Sequence, residues 1–201
     1  MGRIKILLFD LGNVIAHIDF NAFWRSVGFV TPQEIAPFKE GYSIWTLQYE
    51  TGNLPTSEYL DGLSKVFGHG FTNEQLEQAV ASIIEQPVEG MVELIMRISK
   101  TQQTALVSNT NEIHYNLSLK RFAALQIVQK HYLSYKLRVM KPASGFYQTI
   151  IKDLGIPPSE MLFIDDLLEY VEGAQTAGMQ AIKFENPAQL EEALKTFHGL
   201  L

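Results

Sequence analysis

Ile4 to Phe9 form a short apolar run, interrupted only by Lys5, that stops at once on Asp10, and Leu11, Gly12, Asn13 and Val14 follow. A strand buried on both faces of a parallel sheet reads this way, without the alternation of a strand that has one wet face. Ligands of open α/β sheets bind just beyond the carboxyl ends of the strands, and Asp10 stands at that spot. An Asp there can equally well open an Asx turn. The rest of the chain has to decide between the two.

After Val14 the rhythm changes. Phe20 to Val27, Glu34 to Tyr49, Ser57 to Phe67 and Asn73 to Ile84 carry apolar residues at helical spacing, separated by Gly, Pro and Thr-Pro punctuation. Thr31-Pro32-Gln33-Glu34, Thr56-Ser57-Glu58 and Thr72-Asn73-Glu74 read as helix starts, each a capping residue ahead of an acidic first turn. No strand pattern is expected among them.

From Pro87 onward helices and strands alternate. Helices are predicted over Glu89 to Ser99, Glu112 to Ala124, Ser144 to Leu154, Leu168 to Ala177 and Pro187 to Thr196. Strands are predicted over Thr104 to Ser108, His131 to Leu133, Met161 to Asp165 and Gln180 to Phe184. Such alternation implies right-handed crossovers and a parallel sheet covered on both faces, to which Ile4 to Phe9 also belong. The expected fold is α/β, a Rossmann-like parallel sheet core made of residues 1–15 and 87–201. Residues 16–86 are then a small helical-bundle cap inserted directly after Asp10, where it can close over the strand ends.

Composition removes several function classes. Among 201 residues there is no cysteine, which excludes a disulfide framework, a thiolate nucleophile and a thiolate metal site. Any metal would have oxygen or imidazole ligands, a set that favours a hard cation. The net charge of −6 and the scattered Lys and Arg argue against a nucleic-acid partner. The apolar runs Ile4 to Phe9 and Met161 to Ile164 fall far short of the ~20 residues that span a bilayer. No membrane partner and cytoplasmic residence are expected, with small molecules as partners. The oligomeric state is not legible.

Three further predicted strands also end in polar groups. Thr104 to Val107 leads into Ser108-Asn109-Thr110-Asn111, hydroxyls and amides at a strand-to-helix turn. Such a turn can hold a phosphate on its N–H groups, or simply cap the next helix. Lys141-Pro142 precedes another helix, where a Lys is ordinarily solvated surface. Met161 to Ile164 run into Asp165-Asp166, adjacent carboxylates that repel unless a cation or protonation relieves them. Together the four strand ends supply a nucleophile-capable carboxylate, a hydroxyl with amides, a fixed cation and a carboxylate pair.

FDLGNV at Phe9 to Val14, VSNT at Val107 to Thr110, Lys141-Pro142 and FIDD at Phe163 to Asp166 resemble, in order, the four motifs of the haloacid dehalogenase-like (HAD) hydrolases, most of which are Mg²⁺-dependent phosphatases. The resemblance spans the whole chain, because the helical insertion matches that family's small cap. YETGNLPTSEYL, Tyr49 to Leu60, is similar to the bacterial subgroup that includes glucose-1-phosphate phosphatase. The resemblance implies a phosphomonoesterase acting on a small phosphorylated metabolite, with sugar phosphates as one class. Asp10 would attack phosphorus to form an aspartyl-phosphate that water then hydrolyses. Ser108, Asn109 and the amides that follow would hold the phosphoryl group, and Lys141 would neutralise charge on it and on Asp10. Asp10, the Gly12 carbonyl and Asp166 would bind Mg²⁺, with Asp165 orienting a metal-bound water.

Two departures stand out. Most phosphatases of the family carry a second Asp two residues after the nucleophile as the general acid, and here that position is Gly12. General acid–base catalysis contributes about 10²- to 10⁴-fold, so its loss slows turnover without abolishing it. A substitute acid would have to come from the cap or from a residue such as His17. Tyr170 stands where an Asn is usual, beside Leu167 and Leu168, and this alters the support of Lys141 and the metal. Two other functions stay open. One is a phosphate-ligand-binding protein without turnover; the other is a dehalogenase, whose halide-holding Arg would have to be Arg25. Trp24, Trp45, Tyr42 and Tyr49 read as cap core, His69 and His198 as exposed loop residues, and His114 as facing either the site or solvent.

Overall fold

The computed structural model describes residues 3–196, 199 and 200, so His198 lies outside the described residues. Strand β1 (Ile6–Phe9) is followed by β2 (Ala16–Ile18) and then by four helices: α1 (Phe20–Ser26), α2 (Pro32–Glu50), α3 (Thr56–Val66) and α4 (Asn73–Ala81). Next come β3 (Ile84–Pro87), α5 (Met91–Ile98), β4 (Gln103–Ser108), α6 (Glu112–Arg121), α7 (Ala123–Ile127) and β5 (Lys130–Leu133). The chain continues through α8 (Ser134–Leu137), α9 (Ser144–Leu154), a 3₁₀ turn at Pro158–Glu160, β6 (Met161–Asp165), α10 (Leu168–Thr176), β7 (Gln180–Lys183) and α11 (Pro187–Thr196). Among the described residues no helix is long and apolar enough to cross a membrane.

Five strands pair in parallel in the order β5-β4-β1-β6-β7, with β1 central. Successive β1 side chains point to opposite faces. Leu7 and Phe9 join Leu94 and Ile95 of α5 and Leu190 of α11, whereas Ile6 and Leu8 join Phe146 and Ile150 of α9. Both faces are therefore dry, which explains why Ile6 to Phe9 are apolar at every position, and each such side chain contributes roughly 1.5–3 kcal/mol by burial. The expected α/β sheet core is the observed one.

The four helices after β2 share their own core of Phe23, Trp24, Tyr49, Tyr59, Leu63 and Phe67. Tyr49 stacks on Tyr59 at 4.2 Å, and Tyr42 lies 4.9 Å from Trp24, ring centroid to centroid. Gly62 is required where α3 crosses α2, because a Cβ there would sit 2.3 Å from the Trp45 ring. Helix starts agree with the capping signals at Thr31 and Thr72, each closing a capping box, with Glu34 and Gln75 respectively. At α3 the cap is Pro55 without a side-chain bond, and Thr56 is already helical.

Two strands were not expected between Val14 and Pro87. Strands β2 and β3 form an antiparallel ribbon that joins the ends of the helical unit, Ala16 opposite Pro87 and Ile18 opposite Ile84. They are three and four residues long and only partly buried, so neither leaves a periodic signature. The predicted helix Asn73 to Ile84 stops at Ala81 for this reason. The predicted helix Glu112 to Ala124 breaks at Phe122, whose extended backbone turns a nearly fully buried ring into the core. The single turn α8 was also not anticipated.

Candidate active site

Asp10 follows directly on the last paired residue of β1, and its N–H donates to Ile164 O at 3.0 Å, which extends the ladder by one bond. Ser108 closes β4 and Asp165 closes β6, the two strands that flank β1. The three side chains thus emerge side by side at one edge of the sheet. Lys141, from the loop between α8 and α9, inserts its ammonium among them: Nζ donates to Asp10 Oδ1 at 2.8 Å, to Asp165 Oδ2 at 2.6 Å and to Val107 O at 3.2 Å. All three lysine protons are used. Lys141 is 3% exposed and Asp165 0%, so this is a desolvated triad and not a surface pair.

The electrostatics follow from that burial. Desolvation, and next the Asp10 carboxylate, push the Asp165 carboxyl up to about 7, against the pull of Lys141. Desolvation disfavours the Lys141 charge, but Asp10 and Asp165 outweigh it and hold the ammonium above its ordinary value. Asp166 is raised by burial and by Asp10, while the Asn13 amide works the other way. Asn13 occupies the left-handed region at φ 52°, and its Nδ2 donates to Asp166 Oδ2 at 3.2 Å. Its Oδ1 accepts from Ile18 N–H, which links the carboxylate to the ribbon.

The Asn109 side chain clamps Lys141 at both backbone groups, with Nδ2 donating to Lys141 O and Lys141 N–H donating to Oδ1, both at 2.9 Å. The same Nδ2 donates to the Tyr170 hydroxyl at 3.3 Å, and the Tyr170 ring centroid lies 4.8 Å from Lys141 Nζ. Both protons of the amide are therefore committed inside the protein. Tyr170, in the place of the usual Asn, supports the lysine through its ring and through Asn109. The Thr110 N–H is likewise taken, by Ser134 Oγ at 2.9 Å. Ser108 remains at the cavity wall.

Asp10, Asp165 and Asp166 each offer a carboxylate oxygen within 4.8 Å of the others. This all-oxygen set fits a hard divalent cation such as Mg²⁺. Asp165 Oδ1 accepts Leu167 N–H at 3.0 Å and its Oδ2 faces Lys141, which leaves Asp10 and Asp166 as the freer carboxylates. Gly12 borders the same space. A Cβ at Gly12 would meet Ile18 Cδ1 at 2.8 Å, so an isoleucine tip now fills the position from which a second aspartate would project.

A cavity of about 240 Å³ opens above this cluster. Its floor holds Asp10, Ser108, Asn109, Lys141 and Asp166, and its roof is Phe20, Glu50 and Ile83 from the helical unit and the segment that leads into β3. His17 is exposed on β2 and does not line it. Arg25 pairs with Asp19 and also lies outside the lining. His69 is exposed as expected. His114 is buried: Nε2 lies 2.9 Å from Val80 O, and Nδ1 lies 3.0 Å from Asn111 Nδ2. Sequence reasoning gave no role to Asn13, Glu50 or Ser134. The Gly-Asn pair after Asp10 was a usable signal for Asn13, whereas Glu50 and Ser134 meet the site only through folding.

A buried lysine shared by two strand-end aspartates, beside a third and a strand-end serine on a capped α/β sheet, is an arrangement suited to phosphoryl transfer. Residues 4–178 match the haloacid dehalogenase-like hydrolase family, and the chain belongs to that family of enzymes. It is 27% identical to a D-ribitol-5-phosphate phosphatase of Bacteroides thetaiotaomicron, over 95% of this chain and 97% of that one. A HAD family enzyme of the same organism superposes with a TM-score of 0.84 at 27% identity, covering 92% and 96% of the two chains. A second structure of that enzyme, in complex with magnesium and inorganic phosphate, gives a TM-score of 0.78 at 26% identity over the same shares.

Proposed function

We propose that this chain is a magnesium-dependent phosphomonoesterase acting on a small phosphorylated metabolite, of the sugar or polyol phosphate class, through an aspartyl-phosphate on Asp10. The observation that carries the reading is the Lys141 ammonium held between Asp10 and Asp165 at the cavity floor. The ribitol-phosphate activity of the B. thetaiotaomicron relative and the magnesium and phosphate bound by its structural neighbour support it. Residues 16–86 serve as the cap and residues 1–15 and 87–201 as the core, in a cytoplasmic protein.

In this mechanism Asp10 attacks phosphorus with the oxygen not bound to Lys141. Ser108 receives the phosphoryl oxygens, and the Lys141 charge, its protons held by Asp10, Asp165 and Val107, offsets their negative charge. Asn109, Tyr170 and Asp165 keep that ammonium aimed at the reacting group, and a fixed charge of this kind needs no reorganisation as charge develops. Asp10, Asp166 and the Gly12 carbonyl would hold Mg²⁺, which when bound neutralises carboxylate and phosphate charge. A dehalogenase reading lacks its cation, because Arg25 is spent on Asp19 outside the cavity.

Phosphate release from a panel of polyol, sugar and aryl phosphates, with and without Mg²⁺, tests the proposal in wild type and Asp10→Asn. Mg²⁺-dependent release that disappears in the variant is expected. Release no greater than the variant's on every ester overturns it and leaves a ligand-binding protein, the reading that the missing acid at Gly12 favours.

A further inference from the structure

Glu50 closes helix α2, and the end of that helix is seated on the core. Its backbone carbonyl accepts from Ser134 Oγ at 2.7 Å. Two residues further on, Gly52 takes φ +68°, and a Cβ there would lie 1.9 Å from Tyr135 O, so only glycine permits this approach. The two contacts fix Glu50 above the carboxyl ends of β4 and β5, at the boundary of the cavity that contains Asp10.

The proton carriers that line this cavity are few. Lys141 has its three protons on Asp10, Asp165 and Val107. His114 has both ring nitrogens engaged, one by Val80 and one by Asn111. The Tyr170 hydroxyl lies against Asn109. Asp10 and Asp166 belong to the nucleophile and metal cluster. Glu50 is the acid supplied by the cap; among the described residues it forms no ion pair, and the Asn111 amide is its hydrogen-bonding neighbour. Across the cavity, at Gly12, the position for a general acid carries no side chain.

We propose that Glu50 is the general acid and base of the reaction, in place of the aspartate absent at position 12. As Asp10 Oδ bonds to phosphorus and the ester P–O bond breaks, the Glu50 carboxyl gives its proton to the departing oxygen, which leaves as the alcohol. In the second half Glu50, now carboxylate, takes a proton from the water that attacks phosphorus. The P–O bond to Asp10 breaks, inorganic phosphate leaves, and both carboxyl groups return to their starting states.

Burial pushes the Glu50 carboxyl up to about 7, with the Asn111 side chain working against it. The titratable groups around it are Tyr42 and Tyr59 from the cap, His114 from α6, and Asp10, Asp166 and Lys141 across the cavity. Burial drives His114 down to about 4, so no imidazolium stands there to hold Glu50 ionised near neutrality. A carboxyl balanced between its two forms suits a group that must give a proton and then take one.

This inference rests on the phosphatase reading, so Asp10-dependent release by the wild-type chain is established first. The full chain with Mg²⁺ is then compared with Glu50→Gln and Glu50→Asp, using a polyol phosphate and p-nitrophenyl phosphate. In Glu50→Gln, kcat for the polyol ester should fall by about 10²- to 10⁴-fold. Nitrophenolate leaves without a proton, so its first turnover should keep the wild-type rate and appear as a burst before a slow steady state. The alkaline limb of the wild-type kcat/KM profile, with a midpoint near 7, should be absent in Glu50→Gln, and Glu50→Asp should restore part of the polyol rate. Equal losses on both esters in the first turnover, or no loss on the polyol ester, overturn the proposal. Either result leaves the wild type active, whereas failure of the phosphatase reading leaves it inactive.

Discussion

Acid should loosen the cap at His114 before it reaches the rest of the molecule. This imidazole spans the two units, with Nε2 2.9 Å from Val80 O of the cap and Nδ1 3.0 Å from the amide of Asn111 at the start of α6. The carbonyl can only accept, so Nε2 carries the proton and Nδ1 accepts from Asn111. Burial lowers the folded-state value from 6.5 to about 4. A protonated His114 would face the Asn111 donor with a second donor inside a dry interface. Between those two values the unfolded chain binds the proton and the folded chain does not, so stability rises with pH across that window. The contribution is complete above the unfolded value and is lost as pH falls toward the folded one. At 1.36 kcal/mol for each pH unit, about 2 kcal/mol should be gone at pH 5 and about 3 kcal/mol at pH 4. His114→Gln keeps a donor for Val80 and cannot titrate. Urea unfolding of both proteins at pH 7, 6, 5 and 4 isolates this residue, since the carboxylates are common to the pair. The wild type should lose stability relative to the variant by those amounts. Parallel pH dependences would refute the reasoning.

Lys141→Met removes the cation from a dry cluster and leaves Asp10 and Asp165 facing each other, which should cost about 3–5 kcal/mol at pH 7 without metal. Added Mg²⁺ should raise the variant's Tm by more than the wild type's, because it would relieve the same carboxylates; equal Tm values for the two proteins without metal would contradict this. Gly62→Ala places a methyl 2.3 Å from the Trp45 ring and should destabilise by about 1–3 kcal/mol through overpacking. A denaturation midpoint within error of the wild type would show that the two helices separate freely.

The sheet was legible because dry strands and amphipathic helices carry their burial in their own residues. Ile6 to Phe9 are apolar at every position because α5 and α11 cover one face and α9 the other. The floor of the site was legible for a related reason: a parallel sheet places the ends of neighbouring strands together, so polar residues at Asp10, Ser108 and Asp165 had to meet. Strands β2 and β3 were not legible, since their pairing joins segments more than sixty residues apart and each is too short to show a period. Asn109 illustrates the limit within the site. Its place at a strand end suggested a ligand contact, yet the loop carrying Lys141 returns to it, taking one amide proton and donating to the amide oxygen, and Tyr170 takes the other proton.

The order of the sheet strands and of the helices that cover them, the apolar faces and the polar ends of β1, β4 and β6 were written locally, each within a few residues of chain, and the sequence by itself determined them. Tertiary structure decided what the lysine neutralises, which amides remain for a ligand, and which cap residue overlooks Asp10. Those outcomes depend on contacts between residues far apart in the chain. Glu50 reaches the cavity because Gly52 lets its backbone meet Tyr135, eighty-odd residues away, and no local pattern encodes that approach.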